Sequence, residues 1–226
     1  MAASIRRFTV PELLGPQSEL ERKHAPERLF AAGDVELIRG SNRVSVIGAR
    51  KPTPAGLRRA HRLAVELARE GVVVVSGLAE GIDTAAHDGV LAAGGRTVAV
   101  LGTPLDVCYP RQNRQLQRRI MMEHLALSPF APGSPVARKN FPYRNRVMAL
   151  ISDATVIVEA GDASGTLAQG WEAIRLGRPL FILESLAGAP DLTWPGKMLR
   201  YGAQVLTSTG PLLDLLRVGP AGRRLR

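Results

Sequence analysis

Five short aliphatic runs set the strongest constraint on this chain: Val44–Gly48 (VSVIG), Val72–Ser76 (VVVVS), Thr97–Leu101 (TVAVL), Thr155–Glu159 (TVIVE) and Pro179–Leu183 (PLFIL). They are rich in β-branched residues and show no polar alternation, the pattern of strands buried on both faces. Helical patterns lie between them. Pro54–Glu70 places Leu57, Leu63, Val65 and Leu67 on its apolar side and stops at Gly71. Glu80–Ala93 stops at Gly94 and Gly95, and Gly165–Leu176 follows the fourth strand. Strand–helix–strand repetition at this spacing implies right-handed βαβ units. The expected fold class is therefore α/β: a Rossmann-like, doubly wound, mostly parallel sheet with helices on both faces. Val205–Leu206 is a candidate sixth strand and Pro211–Leu216 a last short helix.

The remaining segments are less patterned. Residues 1–24 are polar and punctuated by Pro11, Gly15 and Pro16, and they read as a loosely held N-terminal arm. The Rossmann-like domain is expected over 25–217, and 218–226 as a basic disordered tail. An Arg-rich helix is expected near Arg111–Glu123. Residues 125–142 read as a long surface loop, followed by a helix over Asn145–Ile151.

Open parallel sheets bind ligands outside the carboxyl ends of their strands. Four segments fall there, Gly48–Thr53, Ser76–Asp83, Gly102–Arg111 and Ala160–Thr166, and they hold most of the unusual residues. GARKP places Gly48 in a tight turn and Arg50 over the sheet end, though a merely solvated loop would look the same. SGLAEGID, with Ser76, Gly77 and Gly81, is a strand, a glycine turn and a helix start, whose free N–H groups suit a phosphate. It lacks both the dinucleotide fingerprint and the GxxxxGK[ST] loop, and Asp83 would repel an anion unless it caps a helix or holds Arg50 or His87. EAGDASGT repeats the design with Ser164, Gly165 and Thr166, where Ser164 can equally be a helix cap. In RKNFPYRNR, Arg138–Arg146, four cations stand with no acid and are interleaved with Phe141 and Tyr143. Cations for phosphates and aromatic faces for bases form the usual single-strand binding surface, unless Phe141 simply anchors the loop.

Charge supports the nucleic-acid reading. The net charge is +10, and Arg supplies 26 of the 30 cations. Arg grips phosphate at two points and stacks on bases. A GC-rich genome also favours Arg, so the charge counts only where it clusters. Four His and one Cys have no ligand spacing, so no metal site is expected. No cofactor is expected either. Cys108 reads as a small buried hydrophobe, and no apolar run reaches membrane-spanning length, so a cytoplasmic, membrane-free protein is expected.

Taken together and in order, APERLFAAGD, VSVIGARKPTPAG, VVVVSGLAEGIDTAAHDGVLAAGGRTVAVLGTPLDVCYPRQNRQL, NFPYRNRVM and VIVEAGDASGTL resemble the DprA/Smf family of DNA-processing proteins. The resemblance covers roughly residues 25–207. It implies a single-stranded DNA-binding protein that assists RecA recombinase in transformation, works as a homodimer and breaks no bond. By position it implies a DNA groove lined by Arg50, Lys139, Phe141, Arg144, Asn145 and Arg146. It also implies a phosphate-sized pocket formed by Ser76, Gly77, Gly81, Ser164, Gly165 and Thr166. The winged-helix-like domain that many members carry after the core is not expected here. An alternative is a nucleoside monophosphate phosphoribohydrolase similar to the LOG type, which carries PGGxGTxxE. Here Gln169 replaces that Glu and cannot act as a base, leaving Glu172 and Glu159 as conceivable acids. A non-catalytic small-nucleotide sensor is the third reading.

Overall fold

Val73, Val74 and Val75 are wholly removed from solvent, as residues of a strand covered on both faces must be. Each such side chain contributes roughly 1.5–3 kcal/mol of burial free energy. Their strand is one of nine in the computed structural model, which describes residues 4–218. In chain order the elements are β1 (Ile5–Thr9), α1 (Val10–Leu14), α2 (Glu19–Arg22), β2 (Arg28–Gly33), β3 (Arg43–Gly48), α3 (Pro54–Arg69), β4 (Val73–Ser76), α4 (Ile82–Ala92) and β5 (Thr97–Val100). They continue with α5 (Arg114–Glu123), β6 (Leu125–Ser128), α6 (Asn140–Ile151), β7 (Ala154–Glu159), α7 (Thr166–Arg175), β8 (Leu180–Leu183), α8 (Glu184–Ala187), α9 (Trp194–Arg200), β9 (Gln204–Leu206) and α10 (Gly210–Val218).

The strand order is β1-β2-β6-β5-β4-β3-β7-β8-β9. From β6 to β9 every pairing is parallel, while β2 runs antiparallel to β6 and β1 antiparallel to β2. The chain winds outward from β3 to β6, then returns to lay β7 on the other side of β3. That reversal opens a crevice at the carboxyl ends of β3 and β7, the usual ligand position in such sheets. The α/β, Rossmann-like, mostly parallel fold expected from the sequence is the fold observed.

Three local expectations are corrected. Residues ahead of 25 are not a loose arm: β1 pairs through Ile5↔Ala32 to Thr9↔Arg28, and Val10 and Leu13 enter the core. Capping boxes at Thr9–Glu12 and Ser18–Glu21 hold the two short helices there. Residues 125–142 are not all loop, because Leu125–Ser128 is a fully buried strand between β2 and β5. The helix expected from Asn145 starts at Asn140, so the aromatic and basic residues stand on its first turns. The tail expected to be disordered lies outside the described residues from 219 onward.

One buried polar group has a clear electrostatic consequence. His87 of α4 is fully buried, and its Nδ1 lies 2.8 Å from Thr97 Oγ1. That hydroxyl already donates to the Val74 carbonyl at 2.8 Å, so Nδ1 must be the protonated nitrogen and donate to Thr97. Among the described residues Nε2 has no hydrogen-bond partner. Burial, with help from His124 and Arg144, pushes the imidazole down to about 3. The unfolded chain then binds a proton near 6.5 that the folded chain refuses until about 3, so this residue costs stability as pH falls through that window. Urea unfolding of wild type and His87→Gln between pH 3.5 and 7 tests this. The wild type should lose stability relative to the variant by up to about 1.4 kcal/mol per pH unit on acidification; parallel profiles would contradict the assignment.

Candidate functional site

The site grows from the end of β3. Gly48 turns the chain, and Arg50 and Lys51 follow it into solvent. Thr53 then caps α3, its hydroxyl oxygen accepting the Gly56 N–H at 3.0 Å. The Glu159 carboxylate at the end of β7 accepts both the Thr53 N–H and the Thr53 hydroxyl at 2.7 Å. This ties the two strands flanking the crevice and places a negative charge at the helix start, where it is favoured.

Arg50 projects over α6. Its guanidinium carbon lies 5.3 Å from the centroid of the Phe141 ring. Tyr109, from the loop after β5, packs against the same ring, with centroids 5.4 Å apart and planes inclined at 54°. Tyr109 is 50% exposed. Beneath them Gly102 lets the ring settle: a Cβ there would stand 2.5 Å from Phe141 Cδ1. The product is a half-exposed aromatic shelf with a cation over it. Lys139 and Arg146 are exposed at the start and on the second turn of α6. The concavity under the shelf, lined by Arg50, Gly77, Gly102, Tyr109, Phe141 and Arg144, holds only about 60 Å³. That is space for about two waters, enough for a phosphate oxygen and far too little for a nucleotide.

Arg144, expected to line the groove, is 4% exposed and has a different task. Its Nη1 donates to the carbonyls of Gly77 and, at 2.6 Å, of Val100, which end β4 and β5. Burial lowers the guanidinium to about 10 against the pull of Asp83, and Arg50 adds to the lowering. It therefore stays charged at neutral pH and forms one wall of the small concavity. Asp83 is buried beside it, and burial raises its carboxyl despite Arg144 and two backbone N–H groups. Those donors are Gly77 at 3.1 Å and Ala79 at 3.4 Å. The turn after β4 thus already holds an internal anion where an external phosphate was expected. Only glycine fits at 77, because a Cβ would fall 1.9 Å from Arg144 Nη1 and 2.6 Å from Asp83 Oδ2.

The other expected pocket residues divide similarly. Ser76 is fully buried and donates to the Val46 carbonyl at 2.7 Å, so it faces the core rather than a ligand. Gly81, at φ +80°, packs the start of α4 under the Ala49 and Arg50 carbonyls. Asn145 is a tie: it accepts from Arg144 Nε at 3.0 Å and donates to the Gly165 carbonyl at 3.1 Å. Thr166 donates to the Gly48 carbonyl at 3.0 Å, and Ser164 Oγ accepts the Thr166 N–H at 3.2 Å in the turn ahead of α7, whose N-cap is Gly165 rather than Ser164. Ser164, Gly165 and Thr166 do not line the concavity under the shelf, so the two turns do not form one pocket.

The carboxylates of the hydrolase alternative are engaged elsewhere. Glu172 takes two hydrogen bonds from Arg175, at 3.0 and 2.6 Å, and Glu159 serves Thr53. Gln169 is 1% exposed. Among the described residues no cluster of His, Cys, Asp or Glu could hold a metal ion. Gly102 and Tyr109 fall in the Gly102–Arg111 segment expected at the sheet end, but neither is singled out there; the available signal is an aromatic followed by proline in that loop.

These roles separate on substitution. Arg144→Ala leaves Asp83 buried without its counter-charge and should cost roughly 3–5 kcal/mol of stability. Arg50→Ala loses only an exposed cation–π contact, worth under about 1 kcal/mol. Urea titration followed by tryptophan fluorescence compares them, and equally small losses would refute the structural role of Arg144.

Known proteins match most of the chain. The family described as DNA recombination-mediator protein A matches residues 11–217. The chain is 32% identical over 191 residues to DNA processing protein DprA of Bacillus subtilis, covering 84% of this chain and 64% of that protein. It is 41% identical over 180 residues to protein Smf of Synechocystis, covering 78% and 44%. It therefore spans between 44% and 64% of the length of these two relatives. The solved structure of DNA processing protein A from Helicobacter pylori, which describes that protein's single-stranded DNA binding mode, superposes with a TM-score of 0.81 at 27% identity, covering 96% of this chain and 97% of that one. A family match reaching from the first helix to the last, on the same wound sheet, makes this chain a member of the DprA/Smf family of DNA-processing proteins.

Proposed function

We propose that the chain binds single-stranded DNA without sequence preference and breaks no bond in it. The observation that carries this is the Arg50–Phe141–Tyr109 shelf: a half-exposed Tyr109 ring against the partly buried Phe141 ring, with a cation over the latter. Every base has a face to stack, so such a shelf tolerates sequence. Arg50, Lys139 and Arg146 supply phosphate contacts around it. The single-stranded DNA binding mode of the Helicobacter pylori relative supports the same ligand here.

A shelf over a 60 Å³ hollow suits a strand lying across the surface better than an enclosed mononucleotide. That favours strand binding over a small-nucleotide sensor. The engagement of Glu159 and Glu172 likewise favours binding over glycosidic cleavage. Within this reading the protein serves DNA processing in recombination or transformation, inside the cytoplasm, with a RecA-type recombinase as its downstream partner. Among the described residues no helix is long and apolar enough to cross a membrane. The working form is a homodimer, and the exposed edge-on pair of Trp171 and Tyr201, 5.4 Å apart, supports an apolar contact surface.

Fluorescence anisotropy of a labelled single strand of ~20 nucleotides tests the reading. Phe141→Ala should weaken binding by about 1–3 kcal/mol, or roughly 5- to 150-fold. Arg50→Ala should also flatten the dependence of log K on log salt by about 0.7. Absent binding, or indifference to both substitutions, overturns it.

A further inference from the structure

α3 presents Arg58, Arg59 and Arg62 along its middle turns, ahead of Arg69 in its last turn. Its own first turn has no acidic residue, and the carboxylate at its start, Glu159, is held by Thr53. Among the described residues Arg58 and Arg59 have no ion-pair partner, and Arg62 reaches Glu66 only at 3.9 Å with its side chain 76% exposed. Three neighbouring cations so weakly paired call for a reason.

Their surroundings supply one. A groove of about 760 Å³ is lined by both Arg50 and Arg58, and also by Glu80 and Asp88, so its anion contacts lie on the Arg side. A second hollow, of about 450 Å³, is lined by Arg58, Arg59 and Arg62. A third, of about 520 Å³, is lined by Arg59 and Arg62, by Ser185 of α8 and by Thr207, Ser208 and Thr209 after β9. Neighbouring hollows share walls: Arg58 lines the first two, and Arg59 and Arg62 line the last two. Arg58 and Arg62 are one helical turn apart, about 6 Å in rise, which suits successive backbone phosphates. No side-chain hydrogen bond occupies the four hydroxyls, among the described residues. Glu66 and Glu184 also border the last hollow, so its anion contacts lie on the Arg and hydroxyl wall.

We propose that α3 is a second, phosphate-binding track, on which Arg58, Arg59 and Arg62 lead the DNA backbone from Arg50 into the cleft between α3, β8 and β9. It rests on the single-strand reading and extends it: bases are held at the shelf, while α3 holds backbone alone.

The test compares four proteins across a salt series with the same ~20-nucleotide strand. They are wild type, Phe141→Ala, an α3 triple (Arg58→Gln, Arg59→Gln, Arg62→Gln) and a control triple (Arg7→Gln, Arg28→Gln, Arg200→Gln). The control removes the same net charge from other exposed positions. A fifth protein, with Lys at the three α3 positions, keeps the charge and guards against a folding defect. Each lost phosphate contact lowers the log–log salt slope by about 0.7. The α3 triple should therefore lose about 2 from the slope, the Lys version and the control far less, and Phe141→Ala should lose affinity with little change of slope. If Phe141→Ala weakens binding while the α3 triple matches the control, the track is overturned and the shelf stands. If wild type does not bind, both fall.

Discussion

The guanidinium of Arg144 is the interaction on which the site depends. Parallel strands end with carbonyls pointing at the crevice, and in water each would find a partner. Here the ends of β4 and β5 are covered by α6, and one buried Arg satisfies Gly77 and Val100 together. A buried charge of this kind costs several kcal/mol unless it is compensated. Asp83 supplies the compensation, and its own charge is held by the N–H groups of Gly77 and Ala79. The cluster locks α6 against the sheet. Phe141, one helical turn before Arg144, is thereby held at the surface, and Asn145, next to it, ties the turn before α7. The exposed shelf is the outer layer of a fully packed inner one.

The winding of the sheet decides where that shelf sits. The reversal between β3 and β7 brings Gly48, Glu159 and Thr166 together and sends Arg50 outward over the ring. α3 starts from the same turn under the cap made by Glu159 and Thr53. Its basic stretch, Arg58 to Arg62, therefore starts at a groove that Arg50 also lines. Phe141 and the arginines of α3 stand on helices, while Arg50 and Tyr109 stand on the loops after β3 and β5; the helical part of the contact is preorganised, which lowers the ordering cost of binding.

Much of this was legible before any coordinates. The valine-rich runs announced parallel strands because residues buried on both faces cannot alternate. β2 and β6 escaped because LFAAG and LALS are short, Ala-rich and hidden among turn residues, and they are strands only because their neighbours pair with them. β1 escaped for a related reason: at a sheet edge IRRFT is half polar. At the site, residue type identified the cations of the Arg138–Arg146 segment but not their depth. Arg144 and Arg146 look alike in sequence, yet the helical turn points one into the sheet end and the other into water. The glycine turn at 77 looked like an anion site and is one, but the anion is the chain's own Asp83. Tyr109 was missed because its partner Phe141 is 32 residues away in sequence and meets it only through the fold.

Photochemical cross-linking is the most direct check of where the strand lies. A single strand carrying 5-iodouracil at alternate positions is bound, irradiated and digested, and the adducts are placed by peptide mass spectrometry. Adducts on Phe141 and Tyr109 are the predicted result. Adducts confined to Trp171 and Tyr201, on other elements of the fold, would contradict it.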